Sequence, residues 1–243
     1  MTNTTVALSW FNIYAGNKTP SAAIDAALSP KWTGTKPHFA GLGEAYNAIN
    51  RQTLRLVCHD RKYREFYGVS TTDRRRGPKD NPVLTRMSLP NRGEIAIKGC
   101  DASTPQKIAP ERWIHASLSR VQKNLIASVV VHPHAATAGL DAKHVDRVEK
   151  TGEFWDHVDA LLASLQKLGY HTFVIGDINL REGQSYKNAT TPWQVFARRK
   201  LAYKMTGLDC LAYPKGSKLG KFAIIRGDRF GSDHNGFAAK VIL

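Results

Sequence analysis

Two short polar clusters in this chain border apolar runs, and their residue types are those of cation and proton chemistry. In Phe173-Val174-Ile175-Gly176-Asp177-Ile178-Asn179-Leu180 a strand-forming run reaches Gly176, where the missing side chain lets a ligand or another backbone come close. Asp177 and Asn179 follow at the i, i+2 spacing that sends both to one face of extended chain. Taken alone, a Gly-Asp-x-Asn exit is better explained as an ordinary turn. The second cluster, Gly231-Ser232-Asp233-His234-Asn235-Gly236, stands before the apolar run Phe237 to Leu243. It sets a carboxylate suited to a cation beside an imidazole that carries a proton near neutral pH.

Three further runs end in polar residues. Asn12 lies near the end of Val6 to Ile13, where a buried amide needs partners. Glu44 closes Pro37 to Gly43, and a carboxylate there is costly to bury unless it pairs or holds a cation. His132 and His134 follow Leu125 to Val131; such a pair is at most half of a zinc site, and no Cys/His cluster elsewhere completes one.

The elements that must position these groups follow from periodicity. Apolar residues from Val145 to Leu168 recur mostly at three- and four-residue steps, which predicts an amphipathic helix over Lys143 to Leu168, with a break near Gly152 and a stop at Gly169. Pro20 to Leu28 reads as a short helix that ends before Pro30, and Pro192 to Lys204 as another, carrying Arg198, Arg199 and Lys200. Lys62 to Ser70 (with Glu65), Asn81 to Arg86, Arg112 to Leu118, Leu125 to Val131, Leu208 to Tyr213 and Phe222 to Ile225 read as strands. The loop Asp73 to Asp80, with Arg74, Arg75 and Arg76, is as well suited to solvation as to gripping phosphates.

Composition narrows the partners. At 243 residues and 42% hydrophobic content the chain can bury a sizeable core, which excludes a disordered tail. A net charge of +15 favours a polyanion, most commonly nucleic acid. Cys58, Cys100 and Cys210 show neither a disulfide framework nor C-x-x-C spacing, so reduced thiols are expected. With no signal-like leader and no apolar run long enough to span a bilayer, the expectation is a cytoplasmic protein without membrane attachment.

In chain order, Asn12, Gly41-Leu42-Gly43-Glu44, Asn81 to Arg86, His132, Gly176-Asp177-Ile178-Asn179, Leu208-Asp209-Cys210-Leu211-Ala212 and Ser232-Asp233-His234 resemble the endonuclease/exonuclease/phosphatase superfamily. That superfamily takes in DNase I-like nucleases, exonuclease III-like repair enzymes, sphingomyelinases and inositol polyphosphate phosphatases. The motifs span nearly the whole chain; the departure is Gly43, where glutamine is usual, which puts one supporting hydrogen bond in doubt.

The resemblance implies one α/β domain over residues 1–243, a DNase I-like four-layer α/β/β/α sandwich of two mixed β-sheets flanked by helices. It implies Mg²⁺ or Mn²⁺ held by Glu44, with Asn12 and Asp233 nearby. It makes Asp177 the group that orients and deprotonates water, with Asn179 holding the phosphate or that water. His234, fixed by Asp209, stabilises the phosphate charge, and His132, backed by Glu65, serves the leaving oxygen. Arg74, Arg75, Arg76, Arg198, Arg199 and Lys200 become phosphate contacts.

The expected activity is metal-dependent hydrolysis of DNA phosphodiesters by a monomer, leaving a 5′-phosphate and a 3′-hydroxyl. An inositol phosphatase or sphingomyelinase on the same core is the alternative, and a catalytically silent nucleic-acid binder the third reading.

Overall fold

The computed structural model describes residues 3–13, 17–45, 51–66, 81–101, 112–135, 145–186 and 188–243. Among the described residues, twelve strands form two mixed six-stranded sheets. The first runs β11 (Lys218–Ile225), β12 (Gly236–Ile242), β1 (Thr5–Asn12), β2 (Phe39–Gly43), β4 (Val83–Arg86), β3 (Tyr63–Phe66). The second runs β5 (Asn91–Cys100), β6 (Arg112–Val121), β7 (Asn124–Val131), β8 (His171–Asp177), β10 (Asp209–Pro214), β9 (Leu201–Thr206). Helices α1 (Pro20–Leu28) and α2 (Arg51–Asp60) cover the outer face of the first sheet, and α3 (Val145–Lys167) and α4 (Pro192–Arg198) that of the second. The expected four-layer sandwich is the observed one.

The apolar runs are continuous in the central strands because those strands are buried on both faces. β1 lies between antiparallel β12 and parallel β2, and β8 between parallel β7 and antiparallel β10. Their residues divide by parity. Leu8, Trp10, Phe39, Val83, Val130, Phe173, Ile175, Leu211 and Phe237 meet between the sheets. Phe11, Ala40, Leu42 and Leu84 face α1 and α2, whereas Val129, Val131, Val174 and Cys210 face α3 and α4. The period of two then carries Asn12, Asp177 and Asp209 to the inter-sheet side, in line with Trp10, Ile175 and Leu211.

Three elements differ from the periodicity reading. The helix at Pro192 ends at Arg198, and Leu201–Thr206 is strand β9, paired with β10. Lys200 takes a left-handed φ of 53°, and from there Leu201, Tyr203 and Met205 alternate onto the α3/α4 core. The long helix passes Gly152 unbroken; the glycine sits against Ala189 and Thr190, where a side chain would collide, so it serves packing and not a break. β5 was not foreseen: it is an edge strand whose Arg92, Glu94 and Lys98 face out while Ile95 and Ile97 reach the core.

No helix among the described residues is long and apolar enough to cross a membrane. Cys58, Cys100 and Cys210 are buried free thiols, and burial pushes Cys58 and Cys100 up to about 12.

Candidate functional site

The inward-facing polar residues converge where β1, β2, β7 and β8 end. Asp209 opens β10 directly opposite Asp177, the last residue of β8. Both carboxylates are about 1% exposed. His234 enters from the loop before β12, its Nδ1 3.5 Å from Asp177 Oδ2 and 3.7 Å from Asp209 Oδ2. His132 Nε2 is 3.8 Å from Asp177 Oδ2.

Close backbone packing makes this possible. A Cβ on Gly176 would lie 1.9 Å from the Val131 carbonyl oxygen, so glycine alone lets the exits of β7 and β8 come together and sets His132 beside Asp177. The Asn179 amide N–H donates to Asp177 Oδ1 at 2.8 Å, and Asn179 Nδ2 donates to the Pro133 carbonyl at 3.1 Å, which joins the two exits again. Ser232 Oγ donates to the Asn12 carbonyl at 2.6 Å and accepts the His234 amide N–H at 3.1 Å, which anchors the histidine loop to the end of β1.

Asn12 is fully buried and pairs in register with Gly43, so Glu44 follows at the adjoining strand end, half-buried. Glu44 and Asn179 both have left-handed backbones, with φ of 53° and 51°. Asn tolerates this conformation locally, but for Glu it is a strain that concentrates at functional sites. Asp233 is exposed beside the cluster.

The electrostatics separate the groups. Burial, then the Asp209 charge, raises Asp177 to about 7, against the pull of His234. Burial also raises Asp209, opposed by His234 and Trp10. The Asp209 carboxylate, then Asp177, lifts His234 to about 9; at 3.7 Å this contact is an ion pair rather than a well-made hydrogen bond. His132 is held well below its usual value by burial and by Arg112. At neutral pH the cluster therefore joins an imidazolium, a neutral imidazole and two carboxyl groups that are both raised above their usual range.

Among the described residues, Asp177, Asp209 and His234 also offer ligand atoms within 4.8 Å of one another, close enough to share a cation. Together with Glu44 and the Asn12 amide, the donors are mostly oxygen, which suits a hard divalent ion.

Several expected residues stand elsewhere. Glu65 is on β3 beside Arg55 at 3.7 Å, and the partner of His132 Nδ1 is Asn81 Oδ1 at 3.0 Å. Arg198 and Arg199 both pair with Asp159 on α3. With Lys200 they line a pocket of about 350 Å³ with His171, at the far end of β8 from Asp177. That is about 20 Å away at the rise of extended chain, so the structure does not bring them to the cluster. Arg74, Arg75 and Arg76 lie outside the described residues.

Four neighbours of the site went unmarked in the sequence. Asn81 lay inside a motif read only as a strand start. Arg112, whose Nε is 3.4 Å from His134 Nδ1, acts on both His132 and Asp177. The part-buried phenol of Tyr186 is pushed up by burial and by Asp177. Trp10 read as core, yet its Nε1–H donates to Asp209 Oδ1 at 2.6 Å.

Comparison with known proteins places the fold. No family model and no curated protein matches the sequence. Truncated TDP2 from Caenorhabditis elegans is similar in structure, with a TM-score of 0.65 at 15% identity over 98% of this chain and 98% of that one. An endonuclease/exonuclease/phosphatase from Beutenbergia cavernae gives a TM-score of 0.67 at 12% identity over 99% of this chain and 72% of that one. TDP2 from D. rerio, complexed with single strand DNA product, gives 0.60 at 13% identity over 98% of both chains. At such identities the likeness is one of fold.

Proposed function

We propose that this chain, which carries the fold of the endonuclease/exonuclease/phosphatase superfamily, is a divalent-metal-dependent nuclease that hydrolyses DNA phosphodiesters to a 5′-phosphate and a 3′-hydroxyl. The observation that carries the reading is the meeting of Asp177, Asp209, His234 and His132 at one set of strand ends, with Asn12 and Glu44 on the adjoining pair. DNA as substrate is supported by the charge of +15 and by the fold likeness to a TDP2 that holds single strand DNA product.

Glu44, with Asn12 and Asp233, would hold the cation, which when bound offsets the negative charge that builds on the phosphate and the leaving oxygen. Asp177 orients the attacking water, and its elevated value suits it to take the proton as the new P–O bond forms and the bond to the 3′-oxygen breaks. The 3′-oxygen recovers a proton from solvent. His234, an imidazolium held by Asp209, donates to a phosphoryl oxygen as charge develops there. His132 gives its Nδ1–H to Asn81 Oδ1, which leaves a lone pair on Nε2 beside Asp177. With no proton on Nε2 and its value held low, His132 is suited to accept a hydrogen bond from the water or from protonated Asp177 rather than to carry a proton itself. Asn179 holds Asp177 through its backbone and keeps the two strand exits together.

The test is conversion of supercoiled plasmid to nicked and linear forms with Mg²⁺ or Mn²⁺, with EDTA, and with Asp177→Ala and His234→Ala. Cleavage that needs metal and is lost in both variants is expected. Intact plasmid together with metal-dependent phosphate release from inositol phosphates would move the substrate to small phosphoesters.

A further inference from the structure

Trp10 is fully buried between the sheets, yet its indole is not only packing. Its Nε1–H crosses from β1 in one sheet to Asp209 Oδ1 at the start of β10 in the other, at 2.6 Å. The remaining oxygen, Oδ2, is the one that faces His234 Nδ1. The terminal torsion of an Asp side chain is broad, so a contact at one oxygen leaves the carboxylate plane free to turn. A donor fixed on the opposite oxygen removes that freedom.

The indole is itself held in place by absent side chains. After Phe39, the inward positions of β2 are Gly41 and Gly43. A Cβ at Gly41 would come within 2.7 Å of Trp10 Cε3, and one at Gly43 within 2.9 Å of Trp10 Cζ2. The six-membered ring thus lies across a strip cleared along β2, which aims the pyrrole edge at β10. Gly43 is also the position where the motif resemblance expects glutamine.

We infer that Trp10 is a positioning residue for the hydrolytic cluster: seated on Gly41 and Gly43, it locks the Asp209 carboxylate so that Oδ2 stays turned toward His234. The inference rests on the catalytic reading of Asp209 and His234, and it is tested first without any activity. In a proton–nitrogen correlation spectrum of the metal-free protein, which has five tryptophans, the Trp10 indole proton, assigned by its loss in Trp10→Phe, is expected downfield of the other four. It should move upfield in Asp209→Asn. An indole proton in the ordinary range and unmoved by Asp209→Asn overturns the lock, whatever the substrate proves to be.

With an active enzyme the lock acts through kcat. Trp10→Phe should keep the other four indole signals in place and lower kcat about tenfold or more with KM within about threefold. In the Asp209→Asn background the same change should alter kcat less than about twofold, since the two act as one unit. Full multiplication of the two losses would assign Trp10 to packing alone and overturn the proposal. Should Trp10→Phe fail to fold, Gly41→Ala pushes on the same ring at Cε3 without meeting Asn12, and the upfield indole shift is expected from it; no shift counts against the proposal.

Discussion

Asp177 and Asp209 stand opposite each other across the antiparallel β8–β10 pair, both buried and both pointing between the sheets. Two carboxylates so placed repel, and this repulsion adds to burial in raising Asp177 from 3.8 to about 7. Between those values the folded chain holds a proton that the unfolded chain has lost. Stability therefore falls as pH rises through that window, and above about 7 the buried charge is a standing cost. Asp177→Asn should melt higher than the wild type at pH 8 and no higher at pH 3.5. A gain of about 2 kcal/mol, or about 5 °C, is expected after allowing for the lost contact with His234. The same variant should lose about a thousandfold in cleavage rate. Equal melting at pH 8 would remove the repulsion argument.

His234 titrates in the opposite sense. Its value is raised to about 9, so the contacts with Asp209 and Asp177 stabilise the fold fully below the ordinary 6.5 and are lost as pH rises through 9. If the imidazolium serves the transition state, kcat falls over the same alkaline range. His234→Gln should cost roughly a hundredfold or more in kcat and abolish that alkaline limb. The check is a kcat–pH profile of both proteins from pH 6 to 10; a wild-type rate still climbing through pH 9.5 would assign the imidazolium no part in the reaction.

His132 adds an acid limit. Burial and Arg112 hold it neutral, so below the ordinary 6.5 the unfolded chain takes a proton that the native ring refuses, and stability drops as pH falls. Thermal melts at pH 7 and pH 5 should show a larger drop for the wild type than for His132→Gln. Asn81→Ala, which strips the acceptor from Nδ1–H, should lower activity about tenfold or more. Identical acid sensitivity in wild type and His132→Gln would assign the effect to another buried group, with His38 the first to examine.

The strands and helices that build this site were legible because parity and burial leave a direct trace in sequence: an apolar run with a polar residue at its end is what a buried strand beside a site must look like. Asp177, His234 and Glu44 were marked as candidates that way. Trp10 was not, since nothing in a sequence marks one buried indole as a hydrogen-bond donor to a residue far along the chain. Asn81 and Glu65 were confused because their places relative to His132 depend on how β3 and β4 align, with Glu65 in register with Leu84, which local pattern does not encode. The position of Arg198 and Arg199, away from the cluster, was hidden for a similar reason. A basic helix end reads the same at either end of a sheet, and only the topology puts it at the start of β8 beside Asp159.

In the proposed mechanism Glu44 would hold the cation. Its backbone at the end of β2, next to the Asn12–Gly43 pair, is left-handed, and strain of that kind concentrates at functional sites. Glu44→Gln keeps the shape and removes the charge, so the Mg²⁺ or Mn²⁺ concentration for half-maximal cleavage should rise about 10- to 100-fold, and the rise in melting temperature on adding the metal should shrink. Asp209→Asn should leave that concentration dependence nearly unchanged while lowering kcat, because its partner is His234. The reverse pattern, with metal dependence moved by Asp209→Asn and untouched by Glu44→Gln, would place the ion among Asp177, Asp209 and His234, whose ligand atoms already lie within 4.8 Å of one another. In that event His234 could bind it only as a neutral imidazole, and activity would rise with pH through the alkaline range where the first arrangement makes it fall.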